Sequence, residues 1–224
     1  MKKDLKYYVP LITALTLIAV LGILTKQAFI KLLPAFLSLG VGLLNARVNR
    51  AAFLIGAVNC VLYSIGYFAE GLYGSVGSTL LYSLPLQLVS YFTWRKNKYG
   101  SARVIKTMGA LGRILTALAL VGMSLGTSFV LSRINSSSQP LLDGAVFVLG
   151  LFATVYIMLG YIEGVVINVM SISVGVTMWL TIVISGKTEN VTYVVLNLYN
   201  LYMIVLSLIN WIKLYKKQRS EREE

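Results

Sequence analysis

The chain is written in long apolar runs of roughly membrane length separated by short polar gaps, and that pattern restricts it to a bundle of membrane helices. A hydrocarbon core of about 30 Å takes about 20 apolar residues in helix. Within hydrocarbon only helices and closed barrels satisfy their own backbone. Runs of this kind stand at 8–25, 30–45, 51–69, 74–94, 108–131, 142–160, 163–185 and 190–212. The second is short for a span, which predicts a tilted or partly interfacial helix. The first follows Lys2 and Lys3 without a small-residue cleavage site, so it is read as a retained helix. The expectation is an all-α membrane protein of about eight transmembrane helices, with residues 1–224 as one membrane domain and no soluble part large enough for chemistry.

A formal charge of +12 invites a nucleic-acid reading, but the placement of the charges argues against it. With both termini on the cytoplasmic side, every Lys and Arg falls on that side except Lys26, Lys31, Arg113, Arg133 and Lys187. That is the asymmetry of the positive-inside rule, so the basic charge encodes topology in a multi-pass plasma-membrane protein. The tail "KLYKKQRSEREE" (213–224) is read as a cytoplasmic basic tail, a solvated helix end.

The single cysteine, Cys60, cannot form an intramolecular disulfide or a multi-thiolate metal site. The chain has no histidine, which removes the commonest general base and metal ligand. Without a phosphate loop, paired carboxylates or a nucleophile elbow, the expectation is no enzyme, no metal and no cofactor.

A faint duplication runs through the spans. Ser90 pairs with Ser207, Trp94 with Trp211, Tyr82 with Tyr199 and Ser83 with Asn200, all at an offset of 117. One span earlier, Asn59 pairs with Asn168 and Gly66 with Gly175 at an offset of 109, the difference falling in a longer loop around "SGKTEN". Three-helix repeats at 30–94 and 142–212, joined by one helix at 108–131, give a 3+1+3 plan with an extra N-terminal helix at 8–25. Four crossings separate the starts of the repeats, so the repeats are parallel.

Polar side chains are costly in hydrocarbon, so their positions carry information. Ser75, Thr79, Ser83, Gln87 and Tyr91 recur every four residues as one stripe. Tyr193, Asn197, Asn200 and Ser207 share a face of the last span, with Asn59, Tyr63 and Gly66 on the third and Asn168, Ser171, Gly175 and Trp179 on the seventh. Ser, Thr and Gly alone serve close helix packing. The carboxamides of Asn59, Gln87, Asn168, Asn197 and Asn200 together point to a solvated cavity for a neutral polar solute, with Tyr and Trp faces for a flat or cationic ring. Asp143 and Glu163 sit near span ends, and no carboxylate holds a clear midplane position, so facilitated diffusion without ion coupling is expected.

The segment "GLYGSVGSTLLYSLPLQLVSYFTWRKN" (Gly71 to Asn97) resembles the corresponding part of the Pnu-type vitamin transporters, as do "GAVNCVLYSIGYFAEGLYG" and "GVVINVMSISVGVTMWL". The resemblance covers about residues 30–215. It implies a SWEET-like 3+1+3 fold, a homotrimer, and facilitated uptake of a nucleoside-like vitamin, nicotinamide riboside by default, trapped by a cytoplasmic kinase. Pro85, Gln87, Tyr91 and Trp94 fall on the family's P-x-Q-x-x-x-(F/Y)-x-x-W pattern, and Asn168 on the Asn of W-x-x-W-x-x-x-N. The two tryptophan positions of that second motif are Tyr161 and Gly164 here. Asp143 matches an aspartate opening the sixth span, but Phe147 and Gly150 replace the polar residues that usually follow. Thiamine, riboflavin or a deoxynucleoside would suit a site altered this way. The substrate-binding set expected on these grounds is Asn59, Tyr63, Ser83, Gln87, Tyr91, Asn168, Trp179, Asn197 and Asn200. A sugar carrier and a non-transporting membrane scaffold are the rival readings.

Overall fold

A computed structural model describes residues 2–26, 29–69, 79–95, 104–134, 139–186, 188 and 191–223. Among them stand eight α-helices: α1 (Lys2–Leu24), α2 (Phe29–Ala46), α3 (Ala51–Ala69), α4 (Leu84–Arg95), α5 (Ala110–Ile134), α6 (Pro140–Leu159), α7 (Ile162–Ile184) and α8 (Val191–Glu223). All eight expected spans have a counterpart. The fourth begins on a π-helical turn, Thr79–Ser83, and residues 74–78 of that expected span lie outside the described ones. Five helices (α1 and α5 to α8) are long and apolar enough to cross a bilayer by themselves, while α2 and α3 add shorter apolar stretches.

The helices close into a ring. The chain order α2, α3, α4 packs in sequence, as does α6, α7, α8, and the two sets join where α2 meets α8 and α4 meets α6. Exchanging one set for the other turns each joint into its partner, which is the signature of an internal twofold. α1 lies outside the ring against α2 and α8, and α5 lies outside against α6. α5 buries almost none of its surface, exposing Leu111, Leu118, Val121 and Phe129. Such a face suits hydrocarbon and would be untenable in water.

The turns fix the register of the duplication. At the end of α2, Asn49 N–H donates to Leu44 O at 2.9 Å and Val48 N–H to Asn45 O at 2.9 Å. At the end of α6, Tyr161 N–H donates to Tyr156 O at 2.8 Å and Gly160 N–H to Ile157 O at 3.0 Å. Both are Schellman caps, with Val48 (φ 55°) and Gly160 (φ 86°) in the left-handed position. The next helix opens alike, Ala52 N–H to Asn49 O and Gly164 N–H to Tyr161 O, each at 3.1 Å. These pairs stand 112 residues apart, not 109. Asn59 is therefore the counterpart of Ser171, and Asn168 of Gly56. A slip of three residues is close to one helical turn and rotates each face by only about 60°, so it escapes notice in sequence. For α4 and α8 the offset of 117 agrees with the packing. Trp94 and Trp211, both 2% exposed, lie against each other with ring centroids 5.6 Å apart. Residues related by a twofold touch only near its axis, so this pair marks the axis.

Without a hydrophobic drive between helices in lipid, association rests on close packing and interhelical hydrogen bonds. α8 supplies several to the backbone of α2: Tyr199 Oη donates to Leu39 O at 2.7 Å, Ser207 Oγ to Asn45 O at 2.9 Å, and Asn210 Nδ2 to Ala46 O. Each is worth about 0.6 kcal/mol by analogy with measured membrane pairs. Glycine allows the closest approaches. A Cβ on Gly42 of α2 would lie 2.9 Å from the Tyr199 ring and 3.1 Å from Asn200 Oδ1. The expected solvated tail is the continuation of α8, and one of its residues, Gln218, is buried at 3% exposure.

Candidate functional site

Next to the Trp94–Trp211 pair the ring encloses a cavity in two lobes. The first, about 80 Å³, is lined by Asn45, Gln87, Thr154 and Asn168 above an aromatic floor of Phe53, Trp94 and Trp211. The second, about 180 Å³, shares Asn45 and Asn168 with it and adds Ser38, Gly42 and Asn200. Phe53 meets Trp94 edge-on at a centroid distance of 5.0 Å. Among the described residues no charged side chain lines either lobe.

The carboxamides reach the cavity from the two repeats by different routes. Gln87 on α4 lies flat against Gly56 on α3, where a Cβ would come within 3.0 Å of its Cδ. The counterparts of Gly56 and Gln87 are Asn168 and Ile204, which meet again at both lobes. Each half thus brings one carboxamide to its own interhelical contact, from α4 in the first and from α7 in the second.

A polar chain backs the second lobe. Asn59 Nδ2 donates to Ser38 Oγ at 2.8 Å, and Ser38 Oγ lies 3.3 Å from Tyr63 Oη. Asn59 Oδ1, Ser90 Oγ and Trp94 Nε1 are buried without a hydrogen-bond partner. A buried polar atom left unpaired costs about 1–3 kcal/mol, so Trp94 Nε1, on the wall of the first lobe, marks where a ligand or water completes the set.

Of the nine expected residues, Gln87, Asn168 and Asn200 line the cavity directly, and Asn59 and Tyr63 reach it through Ser38. Asn197 donates to the Tyr193 carbonyl of its own helix at 2.8 Å, with its Oδ1 facing Gly175. Trp179 stacks on Tyr193 at 4.6 Å, away from both lobes. Tyr91 sits against Phe92 and under the Arg50 guanidinium, and Ser83 closes the π-helical turn. The spacing of four that joined Ser83 and Thr79 to Gln87 does not carry through that turn, whose wider winding shifts the register. Sequence reasoning missed Ser38, Asn45, Phe53 and Thr154 as lining. Ser38 and Asn45 stand seven residues apart, two turns on one face of α2, and were the available signal. Phe53 and Thr154 carry no such mark.

The departure from the family's tryptophan pair also has a geometric basis. A Cβ on Gly164 would lie 2.5 Å from Ile157 N and 2.8 Å from Tyr156 C, so the turn into α7 folds too tightly for any side chain there.

The comparisons with known proteins agree with this architecture. The model of the nicotinamide mononucleotide transporter family matches residues 28–213, and the chain belongs to that family. The chain is similar to the nicotinamide riboside transporter PnuC of Neisseria mucosa, 27% identical over 181 residues, covering 75% of this chain and 66% of the relative. It therefore spans just under two thirds of that relative's length. A crystal structure of the vitamin B3 transporter PnuC shares the fold with a TM-score of 0.76 at 21% identity, over 94% of this chain and 92% of that one. The five long apolar helices, the ring and the family together define a multi-pass membrane protein with a helical transporter fold.

Proposed function

We propose that the chain is a facilitator for a nucleoside-like vitamin, with nicotinamide riboside as the first substrate to test. The observation that carries this reading is the uncharged, carboxamide-rich cavity on the internal axis, floored by Phe53, Trp94 and Trp211. Amides supply paired donors and acceptors to a sugar and a carboxamide, and aromatic faces attract a cationic ring. Thiamine, which also carries a cationic ring, suits the same floor, and riboflavin and deoxynucleosides remain in the panel. The names of the relatives support the vitamin class over a sugar.

Transport is uncoupled in this proposal, because among the described residues no carboxylate lines the cavity. An uncoupled carrier only equilibrates its substrate, so net uptake requires a cytoplasmic kinase that converts it to a charged ester. The protein sits in the plasma membrane with both termini cytoplasmic, on the positive-inside asymmetry, and assembles as a trimer on the family resemblance.

Thermal stabilisation of the detergent-purified protein against nicotinamide riboside, thiamine, riboflavin, thymidine and glucose tests the substrate class. A ligand at 100 times its dissociation constant stabilises by about 2.7 kcal/mol. Selective stabilisation by one vitamin or nucleoside is expected, and a response to glucose alone would replace the proposal with a sugar carrier. In vesicles without kinase, uptake should stop at equal concentrations and ignore a protonophore. Proton-driven accumulation there would overturn the uncoupled mechanism.

A further inference from the structure

The end of the ring nearest the aromatic floor is crossed by a short extended strap, residues 104–109, leading into α5. Its side chain Ile105 is 3% exposed and completes the buried cluster of Phe53, Trp94, Val165, Ile204 and Trp211. All five of those partners line the first lobe. Ile105 therefore stands directly behind the cavity wall, between the lobe and the outside.

The strap is pinned along its length. Ile105 N–H donates to Gln218 Oε1 at 2.9 Å, on the far extension of α8. Lys106 N–H donates to Gly160 O at 2.9 Å, and Ile162 N–H to Lys106 O at 3.1 Å, which ties the strap to the α6–α7 turn. Met108 N–H donates to Glu163 Oε1 at 3.0 Å, an atom also held by Arg113 at 2.9 Å. A loop that only joined two helices would leave its backbone to water. This one gives the N–H groups of Ile105, Lys106 and Met108 to anchors on the end of α8, the α6–α7 turn and the first turn of α7.

We propose that residues 104–109 are the gate on this end of the cavity, with Ile105 as its plug and Gln218 as its latch. The inference rests on the transport reading for its purpose and on the strap's geometry for its existence. Opening breaks the Gln218 bond, lifts Ile105 from the Trp94–Trp211 floor and connects the first lobe to the side bearing the end of α8. Gln218 is a positioning residue, holding Ile105 through its backbone without touching substrate.

The test uses Ile105→Cys in a Cys60→Ala background, reconstituted in vesicles and labelled by a membrane-impermeant maleimide from the face carrying the end of α8. Labelling at Ile105→Cys reports the open fraction. Adding Gln218→Leu should speed it about 3- to 10-fold, the shift that one net hydrogen bond allows, while Gln218→Glu, which keeps an acceptor, restores the slow rate. On an otherwise unaltered chain, Gln218→Leu should change the maximal rate of nicotinamide riboside exchange and leave equilibrium binding alone. Thermal melting identifies any variant that has lost its fold, and in that case Gln218→Ala against the parent carries the comparison, with faster labelling expected and an unchanged rate overturning the gate. An unchanged labelling rate in folded Gln218→Leu overturns the gate even if uptake proceeds. Accelerated labelling with no vitamin transport leaves the gate standing and removes the substrate proposal instead.

Discussion

The two repeats share a backbone plan and differ in how they treat buried polar groups. In the second, Ser171 Oγ donates to Val146 O, Ser207 Oγ to Asn45 O and Asn197 Nδ2 to Tyr193 O. In the first, Asn59 Oδ1, Ser90 Oγ and Trp94 Nε1 find no partner. Ser90 and Ser207 are strict counterparts, yet only Ser207 has an acceptor within reach. Among the described residues the first repeat leaves three such atoms inside the ring, with Trp94 on the wall of the first lobe, whereas the second leaves Glu163 Oε2 at the start of α7. A ligand is therefore expected to find an open donor at Trp94 of the first repeat, beside the carboxamides that both repeats bring to the lobes.

The largest test of that contrast lies at the helix starts. Gly164 and Ala52 are counterparts, but only Gly164 is pressed against the preceding backbone. Gly164→Ala should lose about 3 kcal/mol, the upper range for overpacking, while Ala52→Gly should lose about 1 kcal/mol through helix propensity. Denaturant unfolding in detergent measures both. Equal losses would mean that the two turns are less different than their geometry.

Next comes the cavity itself. Gln87→Leu should weaken binding about 5- to 150-fold, as a buried ligand hydrogen bond worth about 1–3 kcal/mol requires, with melting of the empty protein unchanged. Ile204→Leu, at the counterpart position, removes no hydrogen bond and should leave affinity within about threefold, with a stability cost under about 1.5 kcal/mol. Titration calorimetry separates the two. A scaffold without a ligand would show no dependence on either change.

Trp94→Phe removes a donor that has no acceptor in the empty protein. Its stability should fall by about 1–2 kcal/mol through lost packing against Trp211 and Phe53, while the thermal shift produced by ligand shrinks. If stability instead falls by several kcal/mol with the ligand shift intact, the indole serves packing and the open-valence reading fails at that residue.

The smallest effect belongs to the two caps. Val48 occupies a left-handed position that costs a β-branched residue about 1–2 kcal/mol, so Val48→Gly should gain up to about 1 kcal/mol after lost packing. Gly160→Ala should lose a similar amount. Melting curves of the pair decide whether the strain at Val48 is real or relieved by its neighbours.

Much of this architecture was legible in the sequence because hydrocarbon permits so few alternatives. Eight apolar runs gave eight helices, and Gln87 and Asn168 were marked by the cost of burying an amide. The pairing of Trp94 with Trp211 was legible as well, although only the fold shows them in contact. What sequence could not supply was phase along a helix. A shift of three residues turns a face by only about 60°, so Asn59 aligns with Asn168 in sequence while the turns set the register at 112. Nor did a tail as charged as "KLYKKQRSEREE" announce that Gln218 is buried against a strap 113 residues away.

The meeting of Trp94 with Trp211 has a consequence for how such a chain can change over generations. Away from the axis each copy of a duplicated position has its own surroundings, and the two are free to drift apart, as Gly56 and Asn168 have done. On the axis each copy is the other's neighbour. A substitution in one alters the setting of both at once, so the tolerated changes there come in matched steps, and the oldest trace of the duplication is kept where the halves touch.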